Sequence, residues 1–456
     1  MSTPPPAATA APAADETRAA RPTALLPLSN LVQISAFWLG LTAIDSAWSL
    51  FVQLRLTYSD LRGDVGLGLA SAIVAVGGGL VSIAVQPTVG SISDYTRSRW
   101  GRRKPWIVFG SLLNVVFLVG IAYSNTLLAI TAFVILLNFS TSIARGPFQG
   151  YVPDLVAESQ VGLASAMVGL MQIAGNIVGF GLASGAAAIG NLPLALLAVA
   201  VVEVVTMVAV VLRVGAGLPP KPRNGRSWPS IARGAWGADI LQARSFVWLV
   251  ASRFFFLMGG GILFAFAAAY LKFEFGYTED QAGVIFVAML AAVGTGSLAA
   301  VVPASRLSDR IGRKPVIYAA CLAGAIGAAV VAVSPFQVLA IAGAALFGVA
   351  AGAFLSVDWA LMTDIIPRES AGRYMGMSNV ATGSAPLFAA AFGGLVLDWG
   401  TTIAGSAAGP RAAFALAVAL YVVAAVLLIP VVEPERRSRS AGAVAAAPDE
   451  TGGTGQ

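Results

Sequence analysis

The chain has 456 residues, of which 57% are hydrophobic and only 11% are charged, against about 25% charged residues in an average soluble domain. With so few polar side chains a water-soluble globular enzyme is excluded. The absence of histidine and the single Cys321 exclude imidazole relays, histidine-ligated metals, internal disulfides and thiolate clusters. The net charge of +6 fits basic residues that face the cytoplasm and anionic headgroups of a lipid bilayer, so we expect no nucleic-acid partner.

Long uncharged intervals predict an all-α membrane protein with twelve transmembrane helices. A helix needs about 20 residues to cross about 30 Å of hydrocarbon. The interval between Lys104 and Arg145 contains nothing ionisable, so it holds one span and the beginning of the next. The predicted spans of the first half are 31–54, 65–90, 105–124, 127–151, 160–188 and 192–213. Those of the second half are 245–271, 281–303, 315–333, 336–362, 374–397 and 411–432.

This order of spans predicts two six-helix bundles, at 29–213 and 244–432. A cytoplasmic linker rich in proline, glycine and basic residues joins them at 214–243. Residues 1–28 are rich in alanine and proline and have no apolar core like that of a signal peptide, so we expect a disordered cytoplasmic arm. Residues 433–456 are expected to form a disordered cytoplasmic tail.

The distribution of basic residues predicts the orientation of the chain. With the N-terminus inside, 22 of the 28 Lys and Arg residues fall on the inner side, four on the outer side and two within spans. Loops that retain Lys and Arg stay in the cytoplasm. We therefore expect a multi-pass protein of the cytoplasmic membrane with both termini in the cytoplasm.

A basic motif recurs in the second half and predicts an internal duplication. Residues 101–105, Gly-Arg-Arg-Lys-Pro, follow the second span, and residues 312–315, Gly-Arg-Lys-Pro, follow the eighth. Asp154 after the fourth span has a counterpart in Asp364 after the tenth, at an offset of 210 residues. Transporters built from such repeats move two bundles around a site near the bilayer midplane.

The first copy of the motif resembles the signature of the major facilitator superfamily, Gly-x-x-x-Asp-x-x-Gly-Arg-Arg/Lys, with four extra residues between Asp94 and Gly101. The longer form is similar to the sucrose:proton symporter branch of that superfamily. Further stretches that carry this similarity are Gln86-Pro87, Arg145-Gly146-Pro147, Asp154-Leu155 and Gly175-Asn176.

This resemblance implies a twelve-helix major facilitator fold that imports a sugar or glycoside together with protons. The branch usually has Gln before the Gly-Pro pair and Arg two residues after it, whereas this chain has Arg145 and Gln149 there. The substrate is therefore predicted only as a class. Span 65–90 lacks the paired aspartates of sodium-coupled melibiose-like symporters, which favours protons as the coupling ion.

Five ionisable residues fall inside the predicted spans, where a charge costs about 2.5–3.5 kcal/mol on insertion scales. Asp45, Arg145, Arg253 and Asp358 fall one each in spans one, four, seven and ten, and the resemblance implies that these helices line the central cavity. Their charges sum to zero, which suits an uncharged ligand. Glu203 in span six is interpreted as a packing or snorkelling residue.

Asp45 is the best-centred candidate for the acid that couples transport to protons, and Asp358 and Asp154 are further candidates. Burial favours the neutral form of a carboxyl group and a nearby Arg favours the charged form. Breaking and remaking a pair such as Asp45 with Arg145 would therefore bind and release a proton. A purely structural ion pair is the alternative interpretation.

Polar residues at helical spacing predict inward-facing stripes that bind the substrate. Asn138, Arg145 and Gln149 share one face of span four. Trp48 and Trp359 are candidates to stack on a sugar ring, with packing or interfacial anchoring as the alternative. Close helix packing is the alternative for the small and polar residues of span 160–188. The substrate-binding candidates are Arg145, Gln149, Asn138, Trp48, Gln172, Asn176, Arg253 and Trp359.

The resemblance assigns the motif loops to a conformational latch that biases the inward-closed state, formed by Asp94, Arg102, Arg103, Asp309 and Arg313. The chain has no Walker loop, so we expect an ion gradient to supply the energy. We predict a monomeric transporter that is not an enzyme and has no cofactor or metal. The alternatives are a proton-coupled exporter of small amphipathic molecules on the same fold and a membrane scaffold or sensor.

Overall fold

The computed structural model describes residues 24–157, 160–215, 217, 219–220, 222–223, 225, 227–233, 243–366 and 371–433. Fifteen α-helices form within these residues, and twelve are long and apolar enough to cross a membrane, judged by length and composition. The prediction of an all-α protein with twelve transmembrane helices is confirmed. Most of the predicted arm at 1–28 and tail at 433–456, with part of the linker, lies outside the described residues.

In the first half of the chain, proline and threonine mark where helices begin. Pro105 lies in the first turn of α3 and Pro193 begins α7, positions where the missing N–H of proline has no partner to lose. The Thr126 hydroxyl caps α4 by accepting from the N–H of Ala129 at 3.2 Å. The helices are α1 Leu28–Tyr58, α2 Leu67–Ser93, α3 Lys104–Ala122, α4 Leu127–Gln149, α5 Tyr151–Leu155, α6 Val161–Ala188 and α7 Pro193–Arg213.

The linker contains one short helix, and the second half repeats the pattern of long helices. Gly101 and Gly312 precede α3 and α12 with φ of 94° and 105°, conformations that favour glycine and explain why both motif copies begin with it. The helices are α8 Trp228–Arg233, α9 Arg244–Ala265, α10 Ala267–Phe275, α11 Glu279–Ile311, α12 Arg313–Val333, α13 Gln337–Ile365, α14 Ala371–Ala404 and α15 Ala408–Leu427.

Two predicted spans are each broken into a long and a short helix. The span predicted at 127–151 breaks at Gly150, between α4 and α5. A Cβ atom there would lie 1.9 Å from Nη1 of Arg103, so only glycine leaves room for that guanidinium group. The span predicted at 245–271 breaks at Phe266, between α9 and α10.

The chain divides into two compact units. Unit 1 comprises the described residues within Met1–Asp64, Val76–Trp236 and Glu279–Val284. Unit 2 comprises those within Val65–Ala75, Gly237–Thr278 and Ile285–Gln456. The first residues of α2 therefore cluster with unit 2, and the first residues of α11 cluster with unit 1.

In unit 1, α1 packs closely on α6 because two glycines of α6 present bare backbone. A Cβ atom on Gly175 would lie 2.0 Å from Thr42 Oγ1 and 2.4 Å from the Leu39 carbonyl oxygen. A Cβ atom on Gly179 would lie 2.3 Å from the Ala43 carbonyl oxygen. Small residues thus let the two helix backbones approach, as the packing interpretation of this stripe expects.

Aromatic side chains fill the part of the unit 1 core near the end of α4. The Phe148 ring lies edge-on to Phe37 at 5.0 Å and to Tyr151 at 5.9 Å between centroids. Burial raises the pKa of the Tyr151 phenol to about 12, although the Arg103 guanidinium opposes this shift. The phenol is therefore neutral and packs as an apolar ring.

The core of unit 2 is built around stacked rings. Phe256 on α9 stacks on Phe354 of α13, with ring centroids 3.7 Å apart, and the edge of Tyr421 on α15 meets Phe256 at 5.1 Å. The Ser252 hydroxyl donates to the Ala424 carbonyl at 2.7 Å and ties α9 to α15. These contacts hold the helix that carries Arg253.

The first residues of α2 are capped within unit 2. The carboxylate of Asp398 on α14 accepts hydrogen bonds from the N–H groups of Gly68 at 2.9 Å and Leu69 at 2.8 Å. A carboxylate at this position satisfies donors that a first helical turn leaves free. Because Gly68 and Gly394 have no Cβ atom, the backbones of α2 and α14 can touch.

Gly175→Ala is expected to lower the free energy of unfolding by about 1–3 kcal/mol, because the added methyl group meets the α1 backbone. Gly181→Ala on the same helix is the control, since no atom lies within 4 Å of a Cβ there. Thermal unfolding of the detergent-solubilised variants measures both. Equal stability of the two variants would contradict the packing described here.

Candidate functional site

One ion pair of unit 1 lies within the apolar helices. Nη2 of Arg145 on α4 donates to Oδ2 of Asp45 on α1. The side chain of Asp45 is 40% exposed and that of Arg145 is 22% exposed, so the pair is not sealed inside the unit. The two residues proposed from the sequence as a switching pair are therefore in direct contact.

Unit 2 contains a second pair with the signs exchanged between the helices. Nη1 of Arg253 on α9 lies 3.1 Å from Oδ2 of Asp358 on α13, and both residues are buried. The same guanidinium group donates to the Ser378 hydroxyl at 3.3 Å. It also lies over the Trp359 ring, 4.8 Å from the centroid, in a cation–π contact.

These surroundings give the two pairs different chemical behaviour. The Asp45–Arg145 pair can exchange its contact for a ligand or a proton without unpacking a core. The buried Asp358–Arg253 pair is held by neighbours on three helices, and the partly exposed Trp359 presents its ring beside it. The first pair is suited to switching and the second to holding an aromatic surface in place.

Some of the remaining substrate-binding candidates link two helices, and others have partly exposed side chains. The Asn138 side chain accepts from the Ser82 hydroxyl at 3.0 Å and so joins α4 to α2. The Asn176 side chain accepts from the Ser46 hydroxyl at 2.8 Å and joins α6 to α1. The side chains of Trp48, Gln149 and Gln172 are partly exposed.

The first motif loop forms a buried charge cluster in unit 1. Oδ2 of Asp154 lies 2.7 Å from both Arg102 Nη2 and Arg103 Nε, and Oδ1 of Asp94 lies 3.2 Å from Arg103 Nη2. Arg102, Arg103 and Asp154 are all buried. Asp154, a proton-coupling candidate from sequence, is thus a member of the latch cluster rather than a neighbour of Asp45.

The second motif loop in unit 2 is more open. Arg313 donates to Asp309 at 2.7 Å and lies 3.5 Å from Asp364, whose side chain is 48% exposed. The carboxylate of Glu433 accepts from the backbone N–H of Arg313 at 2.8 Å and caps the start of α12. The two motif copies therefore hold different environments despite their similar sequence.

Sequence reasoning missed the role of the motif lysine. Lys104 Nζ donates to the Val211 carbonyl at 2.7 Å, at the end of α7. Lys314 Nζ donates to the Val431 carbonyl at 2.7 Å, just after α15. The recurrence of lysine in both copies was the available signal. Within the described residues, no group of three or more Asp, Glu or Cys side chains is placed to hold a metal ion.

The twelve long apolar helices are those of a multi-pass membrane protein. The sequence profile of the Major Facilitator Superfamily matches residues 31–266 and 249–450. The chain belongs to the major facilitator superfamily.

Curated relatives match over limited regions. The general alpha-glucoside permease of Schizosaccharomyces pombe is 26% identical over 174 residues, which cover 34% of this chain and 31% of that protein. The lactose permease of Leuconostoc lactis is 33% identical over 104 residues, covering 21% and 16%. The sucrose transport protein SUT1 of Oryza sativa is 28% identical over 162 residues, covering 30% and 29%. The chain thus spans less than a third of the length of each of these relatives.

Solved structures match over most of the chain. A D-xylose-proton symporter has a TM-score of 0.65 at 16% identity and covers 89% of this chain and 97% of that one. The nucleoside transporter NupG has a TM-score of 0.63 at 14% identity and covers 90% and 100%. At such identities the likeness establishes the fold alone.

Asp154→Ala is expected to destabilise the protein by about 3–5 kcal/mol, because it leaves two buried guanidinium groups without their shared carboxylate. The matched control is Asp364→Ala in the second motif region, where the pair is exposed and the expected loss is below about 1 kcal/mol. Thermal unfolding in detergent compares them. Similar losses in both variants would rule out the difference in burial as the cause.

Proposed function

We propose that this protein is a secondary active transporter that imports a sugar or glycoside together with protons by alternating access. The observation that carries the proposal is the partly exposed Asp45–Arg145 pair within the apolar helices of unit 1. The names of the relatives support the substrate class, since they are permeases for alpha-glucosides, lactose and sucrose. The lack of paired aspartates in span 65–90, which sodium-coupled melibiose-like symporters carry, supports protons as the coupling ion.

The proposed coupling step is an exchange of partners at Asp45. When a proton binds Asp45, the carboxyl group becomes neutral and its attraction to Arg145 weakens. The guanidinium group then has free N–H donors for the hydroxyl groups of a sugar. Release of the sugar and the proton restores the pair. An inward proton gradient supplies the energy, about 2.3 kcal/mol per charge for each 100 mV.

The proposed sugar platform is Trp359 in unit 2. Its indole ring is 39% exposed, and the cation–π contact with Arg253 fixes one face of the ring. Asp358 balances the charge of Arg253, so the platform carries no net charge. An uncharged apolar ring with neighbouring polar groups suits the face of a pyranose.

The proposed role of the motif loops is to bias the equilibrium between conformations. In unit 1 Asp94, Arg102, Arg103 and Asp154 form a closed cluster, whereas Asp309 and Arg313 in unit 2 are more exposed. Alternating access requires contacts that break and reform. The contacts of Asp309 and Arg313 are the more exposed ones, so they break and reform at a lower cost in free energy.

Asp45→Asn is expected to abolish pH-driven accumulation while preserving counterflow, because the amide cannot bind and release a proton. The assay measures uptake of labelled sucrose, lactose and maltose into proteoliposomes with an imposed pH gradient. Asp60→Asn is the control, since Asp60 is an exposed aspartate in the turn after α1. Wild-type uptake that ignores the gradient would refute proton symport, and no uptake of any of these sugars would favour export of other molecules.

Trp359→Ala is expected to raise the KM for the transported sugar about tenfold, equivalent to about 1.4 kcal/mol of lost binding. Trp399→Ala on α14 is the matched control, because Trp399 is also exposed but lies on another helix. Initial rates of uptake over a range of sugar concentrations give both values. An unchanged KM in Trp359→Ala would assign Trp359 to packing.

A further inference from the structure

Glu203 on α7 is fully buried inside unit 1, and the proposed transport mechanism does not use it. Its exposed fraction is 0%, so the snorkelling interpretation of this residue is wrong. Its backbone lies directly against Gly40 of α1, where an added Cβ atom would lie 3.1 Å from the Glu203 Cα atom. The carboxyl group is therefore enclosed by helices of its own unit.

The Glu203 carboxyl group is hydrogen-bonded to neutral side chains on two other helices. Nδ2 of Asn114 on α3 donates to Glu203 Oε1 at 2.7 Å. Oδ1 of the same amide accepts from Thr141 Oγ1 at 3.1 Å and from the Ser140 hydroxyl, both on α4. A continuous hydrogen-bonded network thus joins α7, α3 and α4 through Asn114.

Among the described residues, no Lys or Arg forms an ion pair with Glu203. The charged groups that face it are Asp45 on α1 and Arg145 on α4, which pair with each other. The polar groups that α3 presents are the neutral side chains of Ser111 and Asn114. An ionised Glu203 would be a buried charge with no cation paired to it. A protonated Glu203 is neutral and avoids that cost.

Two buried oxygen atoms beside the network mark a position for the hydrogen atom of a protonated Glu203 carboxyl group. Within the part of the chain that the structure describes, Glu203 Oε2 and Ser111 Oγ are each buried without a hydrogen-bond partner. Ser111 lies three residues before Asn114 on α3, so both face α7. The Ser111 hydroxyl group has a donor and two acceptor lone pairs, so a hydroxyl group on Oε2 has an acceptor beside it in Ser111 Oγ and the neutral acid fits this site.

We propose that Glu203 carries a proton and that its neutral carboxyl group is a positioning residue for the Asp45–Arg145 pair. The link runs through Asn114 to Thr141, which lies four residues before Arg145 and so shares its face of α4. By fixing α4 at Thr141, the network fixes where the Arg145 side chain leaves the helix. The inference rests on the proposed function only for its transport readout.

Ionisation of Glu203 would disrupt this arrangement. The neutral form fits the network, so raising the pH puts an unpaired charge inside unit 1 and loosens α3 against α4. The folded protein should therefore lose stability as the pH rises, and the positioning of Arg145 should deteriorate over the same range. A glutamine at position 203 cannot ionise and removes both effects.

The test compares wild type with Glu203→Gln, which keeps the shape of the side chain. Infrared difference spectra at neutral pH should reveal a protonated carboxyl band in wild type that the variant lacks. The decline in thermal stability as the pH rises should be smaller in the variant, because the amide cannot ionise. Glu274→Gln, at an ion pair with the exposed Arg411, is the control and should leave the band and the decline unchanged.

Sugar counterflow, which needs no proton gradient, gives the functional readout. Glu203→Gln should retain counterflow at alkaline pH where wild type loses it. An unchanged band together with identical pH profiles of stability would overturn the proposal for Glu203. If wild type transports none of the sugars but the band and the stability shift are present, the proposed function fails while the assignment of Glu203 stands.

Discussion

The hydrocarbon around an apolar membrane helix does not solvate a charge, so a charged side chain there needs a partner of opposite charge. Both units contain such partners. In unit 1 Asp45 and Arg145 neutralise each other across two helices, and in unit 2 Asp358 and Arg253 do the same. Each pair also fixes which helices lie side by side. The same requirement extends to Glu203, where the proposed solution is a proton instead of a cation.

The two halves of the chain share motifs without sharing environments. The motif lysine makes the same type of contact in both, from Lys104 to Val211 and from Lys314 to Val431. The neighbouring arginines differ, because Arg102 and Arg103 are buried against Asp154 whereas Arg313 meets exposed carboxylates. A duplicated loop can thus keep its structural anchor while its charged contacts diverge in strength.

Hydropathy was sufficient to predict the twelve spans, since span length and the scarcity of charge are local properties of the sequence. It did not predict the breaks at Gly150 and Phe266, and the close approach of the Arg103 guanidinium group to Gly150 is a tertiary contact that hydropathy does not encode. Charged residues are rare in the long apolar spans, so those inside the spans could be recognised from the sequence.

The partners of those charges depend on which helices become neighbours, and that information is tertiary. Asp154 was therefore considered as a proton carrier although it lies between two arginines. Glu203 was interpreted as a packing or snorkelling residue, because the polar network that encloses it arises from three helices. Asn114 and Ser111 are isolated polar residues of α3, so they gave no periodic signal in the sequence.

The contact between the linker and the unit 1 cluster has a mechanical consequence. Arg102 donates to the carbonyl group of Pro219 at 3.4 Å, and Gly217, with φ of 77°, lies against Asp154. The segment that follows α7 is thus fastened to its own bundle before it departs. The tether between the bundles is effectively shorter than the sequence interval 214–243, and loosening the cluster would lengthen it. Slack in the connection would then depend on the ion pairs of this charge cluster.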